Sequence, residues 1–234
     1  MVLKRTLLYI ILLSFAAGPI FGQRKLKNQP KYDSKIIHFG FFLGINYYDL
    51  LVKPKGNLST MPGYYGFRTE TNPGYTINIV SDLKLMDHLH LRFLPGFSST
   101  VRTLYFDIDD PFTGERGEAM REVESSFIEL PFELQFQSKR INNYRWYVLG
   151  ELKNSIDLAS KEKVEDDRLF KLKSHDLTYG FGVGLDFYFE YFKFSPQIKA
   201  SFGLSNLLVE DGTAVVSGLE GVYTRAIFIN FTFE

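Results

Sequence analysis

The sequence predicts an all-β protein, an eight-stranded antiparallel transmembrane β-barrel with short periplasmic turns and long extracellular loops. Three observations carry this expectation. Apolar residues recur at every second position from Ile36 onward, the period of a strand and not of a helix. The alternating segments often run about ten residues or more, enough to cross a bilayer at a tilt, whereas soluble strands average about five or six. Short and long connections alternate along the chain, as expected when tight turns lie at one membrane surface and loops at the other.

The N-terminus supplies the export route. Met1 to Arg5 is basic, Leu7 to Ala17 (LLYIILLSFAA) is apolar, and Gly22 precedes Gln23. This reads as a secretory signal peptide over 1–22, with Ile20 an imperfect residue at the third position before the cut. Residues 23–35 (QRKLKNQPKYDSK) are polar and basic and read as an exposed periplasmic lead-in, leaving 36–234 as the barrel domain. Beyond the signal segment no apolar run reaches the length of a membrane helix, so entry into a bilayer requires a barrel.

Within that domain the spacing predicts strands over 36–47, 74–84, 88–103, 125–137, 144–158, 177–191, 193–204 and 222–233. The segment over 125–137 is among the clearest: Ile128, Leu130, Phe132, Leu134 and Phe136 alternate with Glu129, Glu133, Gln135 and Gln137. Long connections fall at 48–73, 104–124, 159–176 and 205–221. Pro95, Pro131 and Pro196 interrupt three strands. Each forfeits a ladder hydrogen bond, which predicts local bulges or kinks.

A soluble β-sandwich also alternates. Strand length, a Phe- and Leu-rich face, and a second face carrying glycines and charges favour the membrane reading. Six residues, His90, Arg92, Glu129, Glu133, Glu151 and Lys153, are expected to form a structural ion-pair cluster in the lumen, since buried charges need partners. Glu151 is expected beside Lys153 on its own strand, and His90 and Arg92 opposite Glu129 and Glu133. An eight-stranded interior is just wide enough to be filled by side chains. Tyr47, Tyr48, Tyr75, Tyr105, Tyr191 and Tyr223 lie near strand ends and suit interfacial girdles. The alternating Phe231 and Phe233 resemble the recognition signal of the outer-membrane assembly machinery, although Glu234 follows them.

Composition excludes several functions. Lys+Arg 27 balance Asp+Glu 27, so nucleic acid is not an expected partner. The chain has no cysteine, which removes disulfides, thiolate metal sites and lipid acylation of an N-terminal Cys. Ser98, His90 and Glu129 could share the lumen as a nucleophile, base and orienting group, but a structural ion-pair cluster is the simpler reading, and no catalytic site is expected. His88 and His90 share a strand face without the further ligands of a structural site. Asp107, Asp109 and Asp110 lack the Gly and closing Glu of a calcium loop. The glycines of GFGVGLD (180–186) lie on a strand, with no helix start to hold a phosphate. No cofactor or metal is implied. The long connection 48–73, with Met61, Tyr64 and Tyr65, is the expected recognition surface.

Several stretches also resemble the PorT family of Bacteroidota outer-membrane proteins: IHFGFFLGINYYDL (37–50), LHLRFLPGFSSTVRTLYF (89–106), FIELPFELQF (127–136), KRINNYRWYVLGELKNSIDLAS (139–160) and YFKFSPQIKASFGLSNLL (191–208). The resemblance implies an outer-membrane component of type IX secretion, associated with export to the cell surface and, in some members, with gliding. Its implied partners are the outer-membrane bilayer, the assembly machinery and other secretion-system proteins. It carries over no catalytic residue.

Overall fold

The computed structural model describes residues 27–56, 64–109, 115–162, 170–210, 216 and 218–234. The expected signal peptide over 1–22, Met61 and Asp110 lie outside them. Ten strand segments follow in order: β1 (Ile37–Pro54), β2 (Tyr64–Thr71), β3 (Pro73–Lys84), β4 (Leu89–Phe93), β5 (Gly96–Asp109), β6 (Arg116–Gln137), β7 (Tyr144–Asp157), β8 (His175–Tyr188), β9 (Lys193–Gly203) and β10 (Leu219–Phe233). β2 with β3, and β4 with β5, each make one interrupted stave. The ring therefore has eight antiparallel staves, closed where β1 pairs with both β10 and β3.

The faces are inverted relative to a water-soluble protein. Phe41, Ile79, Phe132, Trp146, Phe181, Ile198 and Ile227 point outward, each more than half exposed. The residues between them (Asn78, Glu133, Tyr147, Gln197 and Asn230 among others) are buried inside. An exposed apolar belt around a polar interior is stable only where lipid replaces water outside.

The strands extend further at the loop end than alternation of an apolar outer face suggests. Residues 48–54 belong to β1, 64–71 to β2, and 116–124 to β6. The connections expected over 48–73 and 104–124 are thus largely strand. The periodicity continues there, but its polarity reverses. Leu50, Val52, Leu104, Phe106, Ile108, Val123, Leu219 and Val222 point inward and close over Phe170, Leu172, Leu207 and Leu208 as an apolar cap. Outside, Arg68, Glu118 and Glu122 meet solvent.

Each proline sits at an interruption of one ladder. The β4–β5 stave breaks at Leu94–Pro95, where the Leu94 N–H donates to the Pro131 carbonyl at 3.1 Å and the Asn78 amide donates to the Leu94 carbonyl at 2.6 Å. Pro131 faces this same break while remaining in regular pairing with Lys153 of β7. Pro196 pairs regularly with Phe231 but lies in a gap of the β8–β9 ladder. The missing N–H groups are thereby placed where no ladder partner is required.

A second seam opens above the belt. β1 pairs with β3 only up to Tyr47↔Pro73, and β2 pairs only with β5. Asp49 bridges the seam, accepting from the Leu50 N–H at 2.8 Å and from the Thr69 hydroxyl at 2.7 Å while pairing with Arg225.

Candidate functional site

The interior polar residues come from every stave, because the alternation places each second side chain inside. At mid-height, Lys153 of β7 donates to Glu129 of β6 at 2.7 Å and to the Tyr48 hydroxyl at 2.8 Å, and Tyr48 donates to Glu129 at 2.5 Å. One layer nearer the periplasm, Lys199 of β9 lies between Glu133, at 2.9 Å, and Glu151. Below that, Arg92 contacts Asp82 at 3.5 Å and Glu234 at 3.0 Å, with Glu133 at 4.0 Å. His90 lies 2.7 Å from Asp82. Lys193 pairs with Glu234, and Asp186 takes Arg145 at 2.7 Å and Ser195 at 2.6 Å.

All six residues singled out from sequence are buried in the lumen, and Arg92 lies opposite Glu133 as expected, but the other pairings differ from the expected ones. Glu151 pairs with Lys199 rather than with Lys153, its neighbour two residues on, and Lys153 pairs with Glu129. Residues on one strand face are stacked along the wall, so a charge reaches across the narrow lumen or to an adjacent strand more readily than along its own. His90 and Arg92 meet Asp82, on the neighbouring stave. Asp82, Asp186 and Lys199 alternate with apolar neighbours in the sequence, which puts them on the inward face but does not indicate whom they meet.

Tyr48, expected in an interfacial girdle, is instead buried in the lumen; Tyr47 is its outward neighbour. The alternative grouping of Ser98, His90 and Glu129 as a catalytic set does not share hydrogen bonds: His90 is engaged by Asp82, and Glu129 by Lys153 and Tyr48. Tyr65 is exposed on β2 beneath the Arg116 guanidinium, 4.4 Å from its ring centre. Tyr64 opens β2, and Met61 lies outside the described residues.

Close packing sets the space between these groups. Gly184 is required where a Cβ would lie 2.3 Å from the Tyr147 hydroxyl. A void of about 10 Å³ remains at mid-height between Phe42, Thr76, Glu129 and Phe228, at the limit for one water molecule.

The periplasmic mouth is built differently. Residues 27–35 of the lead-in fold back across it, largely exposed as expected apart from Tyr32. Tyr32 is buried, stacks on His38 with ring centres 3.9 Å apart, and donates to Glu234 at 3.1 Å. Asp33 lies between Arg140 and Arg145, at 3.4 Å and 3.3 Å. Asn28 donates to the Asn143 side-chain oxygen and the Tyr188 carbonyl. Between this strap and the β3–β4 and β6–β7 turns is a cavity of about 330 Å³. At its rim the Lys84 ammonium, 2.9 Å away, holds the Asp87 carboxyl below the usual carboxylate range.

The sequence profile of the outer membrane protein beta-barrel domain family matches residues 21–209. The chain belongs to this family. It is an outer-membrane protein seated in the lipid bilayer. Among solved structures, Neisserial surface protein A is similar at 5% identity and a TM-score of 0.42, over 85% of this chain and 98% of that one. The N-terminal β-barrel domain of Pseudomonas aeruginosa OprF is similar at 12% identity and a TM-score of 0.35, over 82% of this chain and 96% of that one. No curated protein sequence matches the chain.

Proposed function

We propose that this outer-membrane barrel is a non-enzymatic component of type IX protein secretion to the cell surface, acting by docking partners and not by conducting cargo. The observation that carries the docking reading is the filled lumen: Tyr48 of β1 reaches Glu129 and Lys153, and Lys199 of β9 reaches Glu133 of β6, across it, and the space beside them is about 10 Å³. A folded protein has no path through it. The secretion assignment itself rests on the five stretches that resemble the PorT family, and with it come gliding in some members and a Bacteroidota origin. In this reading residues 1–22 are a signal peptide, residues 23–35 face the periplasm, the assembly machinery inserts the barrel, and other secretion-system proteins dock on it. The six lumen charges hold the barrel shut, and Met61, Tyr64 and Tyr65 offer a recognition surface outside the cell.

The engagement of His90 by Asp82 and of Glu129 by Lys153 supports a structural over a catalytic role for the lumen. The test is a deletion strain. Loss of type IX cargo from the surface, restored by the wild-type gene and by a His90→Ala, Ser98→Ala double variant, is the expected outcome. Normal secretion would leave the second reading, a passive barrel for adhesion or envelope integrity, which the β2–β5–β6 extension above the belt favours.

A further inference from the structure

We propose that the periplasmic mouth is a docking site for an acidic peptide segment of a protein partner. This adds a periplasmic docking face, and its chemistry, to the extracellular one proposed above, and it rests on that reading only for which protein supplies the peptide.

The first argument is charge. Five Lys and Arg side chains line the 330 Å³ cavity (Lys27, Lys84, Lys139, Arg140 and Arg145) against two carboxylates, Asp33 and Asp87. Both carboxylates are already taken, Asp87 by Lys84 and Asp33 by the two arginines. Lys27 and Lys139 are exposed and have no acidic partner among the described residues. Cations converging on a concave, partly desolvated space attract an anion more strongly than the same cations spread on a flat surface.

The second argument is that the mouth already holds a peptide carboxylate. Asp33 enters from the lead-in, its two oxygens facing separate guanidinium groups, with Lys84 donating to its backbone carbonyl at 2.9 Å. The segment around it is a single 3-10 turn (Tyr32–Ser34) anchored by Asn28 and Tyr32. A partner segment carrying Asp or Glu would meet the same chemistry at the neighbouring unpaired lysines. The cavity volume lies at the lower end of the range for ligand sites, about 300–1,000 Å³, enough for one or two acidic side chains.

The third argument is the floor. His38 is buried and lines the cavity, and its Nε2 donates to the Tyr32 carbonyl at 3.0 Å. Its Nδ1 is then an acceptor, which a carboxylate does not engage, so the residue acts as a floor and not as a ligand contact. Above it the Tyr32–His38 stack and the Arg92–Glu234 pair close the lumen. A peptide entering from the periplasm therefore stops at the mouth.

The test uses the full mature barrel refolded in detergent, with heat-modifiable migration as the control for folding. A hexaglutamate peptide is titrated by calorimetry. The expected result is saturable, salt-sensitive binding, weakened roughly tenfold by Lys27→Glu with Lys139→Glu and unchanged by Lys161→Glu with Lys173→Glu at the opposite end. Asp33→Asn, which frees both arginines, is expected to tighten binding severalfold. Absence of binding, or equal weakening by the two double variants, would overturn the proposal. So would inorganic phosphate competing at the same concentration of charge, since the mouth would then be a general anion site. None of these outcomes depends on the secretion phenotype, so a deletion strain with normal export would overturn the secretion assignment while leaving the docking site standing.

Discussion

Along β5 the inward positions read Ser98, Thr100 and Arg102 within the belt, then Leu104, Phe106 and Ile108 above it. Along β1 they read Asn46 and Tyr48, then Leu50 and Val52, while the outward positions pass from Leu43, Ile45 and Tyr47 to Asp49, Leu51 and Lys53, of which Leu51 alone is apolar. The β5–β6 ladder and the β1–β10 ladder up to Lys53 keep their register through this level, yet the chemistry of their two faces exchanges. What changes is the medium outside. Within the belt lipid covers the outer face, and apolar side chains belong there. Above it water covers the outer face, and the ordinary rule of apolar inside and polar outside returns.

The two interiors consequently hold together for different reasons. The cap gains from removing apolar surface from water. The belt lumen must desolvate its charges, and their mutual attraction only roughly compensates. An intact ion pair there contributes little net stability, but a broken one leaves a buried charge with nothing to answer it.

The largest expected effect follows from that asymmetry. Lys199→Met removes the cation between Glu133 and Glu151, and we expect a loss of about 3–5 kcal/mol, read as the denaturant midpoint of the refolded barrel. Adding Glu133→Gln and Glu151→Gln is expected to recover most of it, because neutral amides no longer require a countercharge. An unchanged midpoint for Lys199→Met would mean that the lumen is wet, and the contrast with the cap would fail.

Phe106→Ala tests the other interior. Phe106 is fully buried in the cap and lies 5.6 Å from the Phe170 ring. Truncation is expected to cost about 3 kcal/mol, expressed locally as faster proteolysis at the loop end while heat-modifiable migration persists. Collapse of the whole barrel would show that cap and belt form one cooperative unit.

The contrast also explains what was legible in the sequence. The stave over 125–137 could be read because an outward apolar face alternates with a mostly polar inward face, whereas 144–158 reads less clearly because Gly150 and Asn154 interrupt its outward face and Leu149 its inward one. β2 could not, because YYGFRTET lies above the belt, where the outer face carries Arg68 and Glu70 and resembles a loop. The partners of the lumen charges were hidden for another reason. Glu133 and Lys199 are 66 positions apart, and Arg92 and Glu234 are 142 apart; only closure of the ring brings them together. Likewise Tyr32 in a polar lead-in gives no sign that it will stack on His38.

A smaller effect is expected at Gly184, in the belt. An added methyl group would displace the Tyr147 ring and with it the 3.1 Å bond from its hydroxyl to Gln197. Gly184→Ala is expected to cost about 2 kcal/mol. Gly184→Ala combined with Tyr147→Leu, which removes both the ring carbon and the hydroxyl nearest the new methyl, is expected to cost less than the sum of the two single changes; strict additivity would place the strain at the Pro196 carbonyl, 2.8 Å from it.

The smallest effect lies at the seam where the two regions meet. Asp49 satisfies the Leu50 N–H, an edge donor left unpaired once β1 parts from β3, and ties β1 to Thr69 of β2 and Arg225 of β10. Arg225 is half exposed, so its contribution is screened, and the backbone bond carries more of the effect. Asp49→Ala is expected to cost about 1 kcal/mol. Its signature is spatial: hydrogen exchange should quicken in 50–54 and 64–71 and remain unchanged in the belt portions of β1 and β3. Exchange that quickened equally in Phe41 and Ile79 would show that the seam transmits strain into the belt. Confinement to the upper segments would mean that the boundary of face chemistry is also a boundary of cooperativity, with the cap able to open while the membrane-spanning ring stays closed.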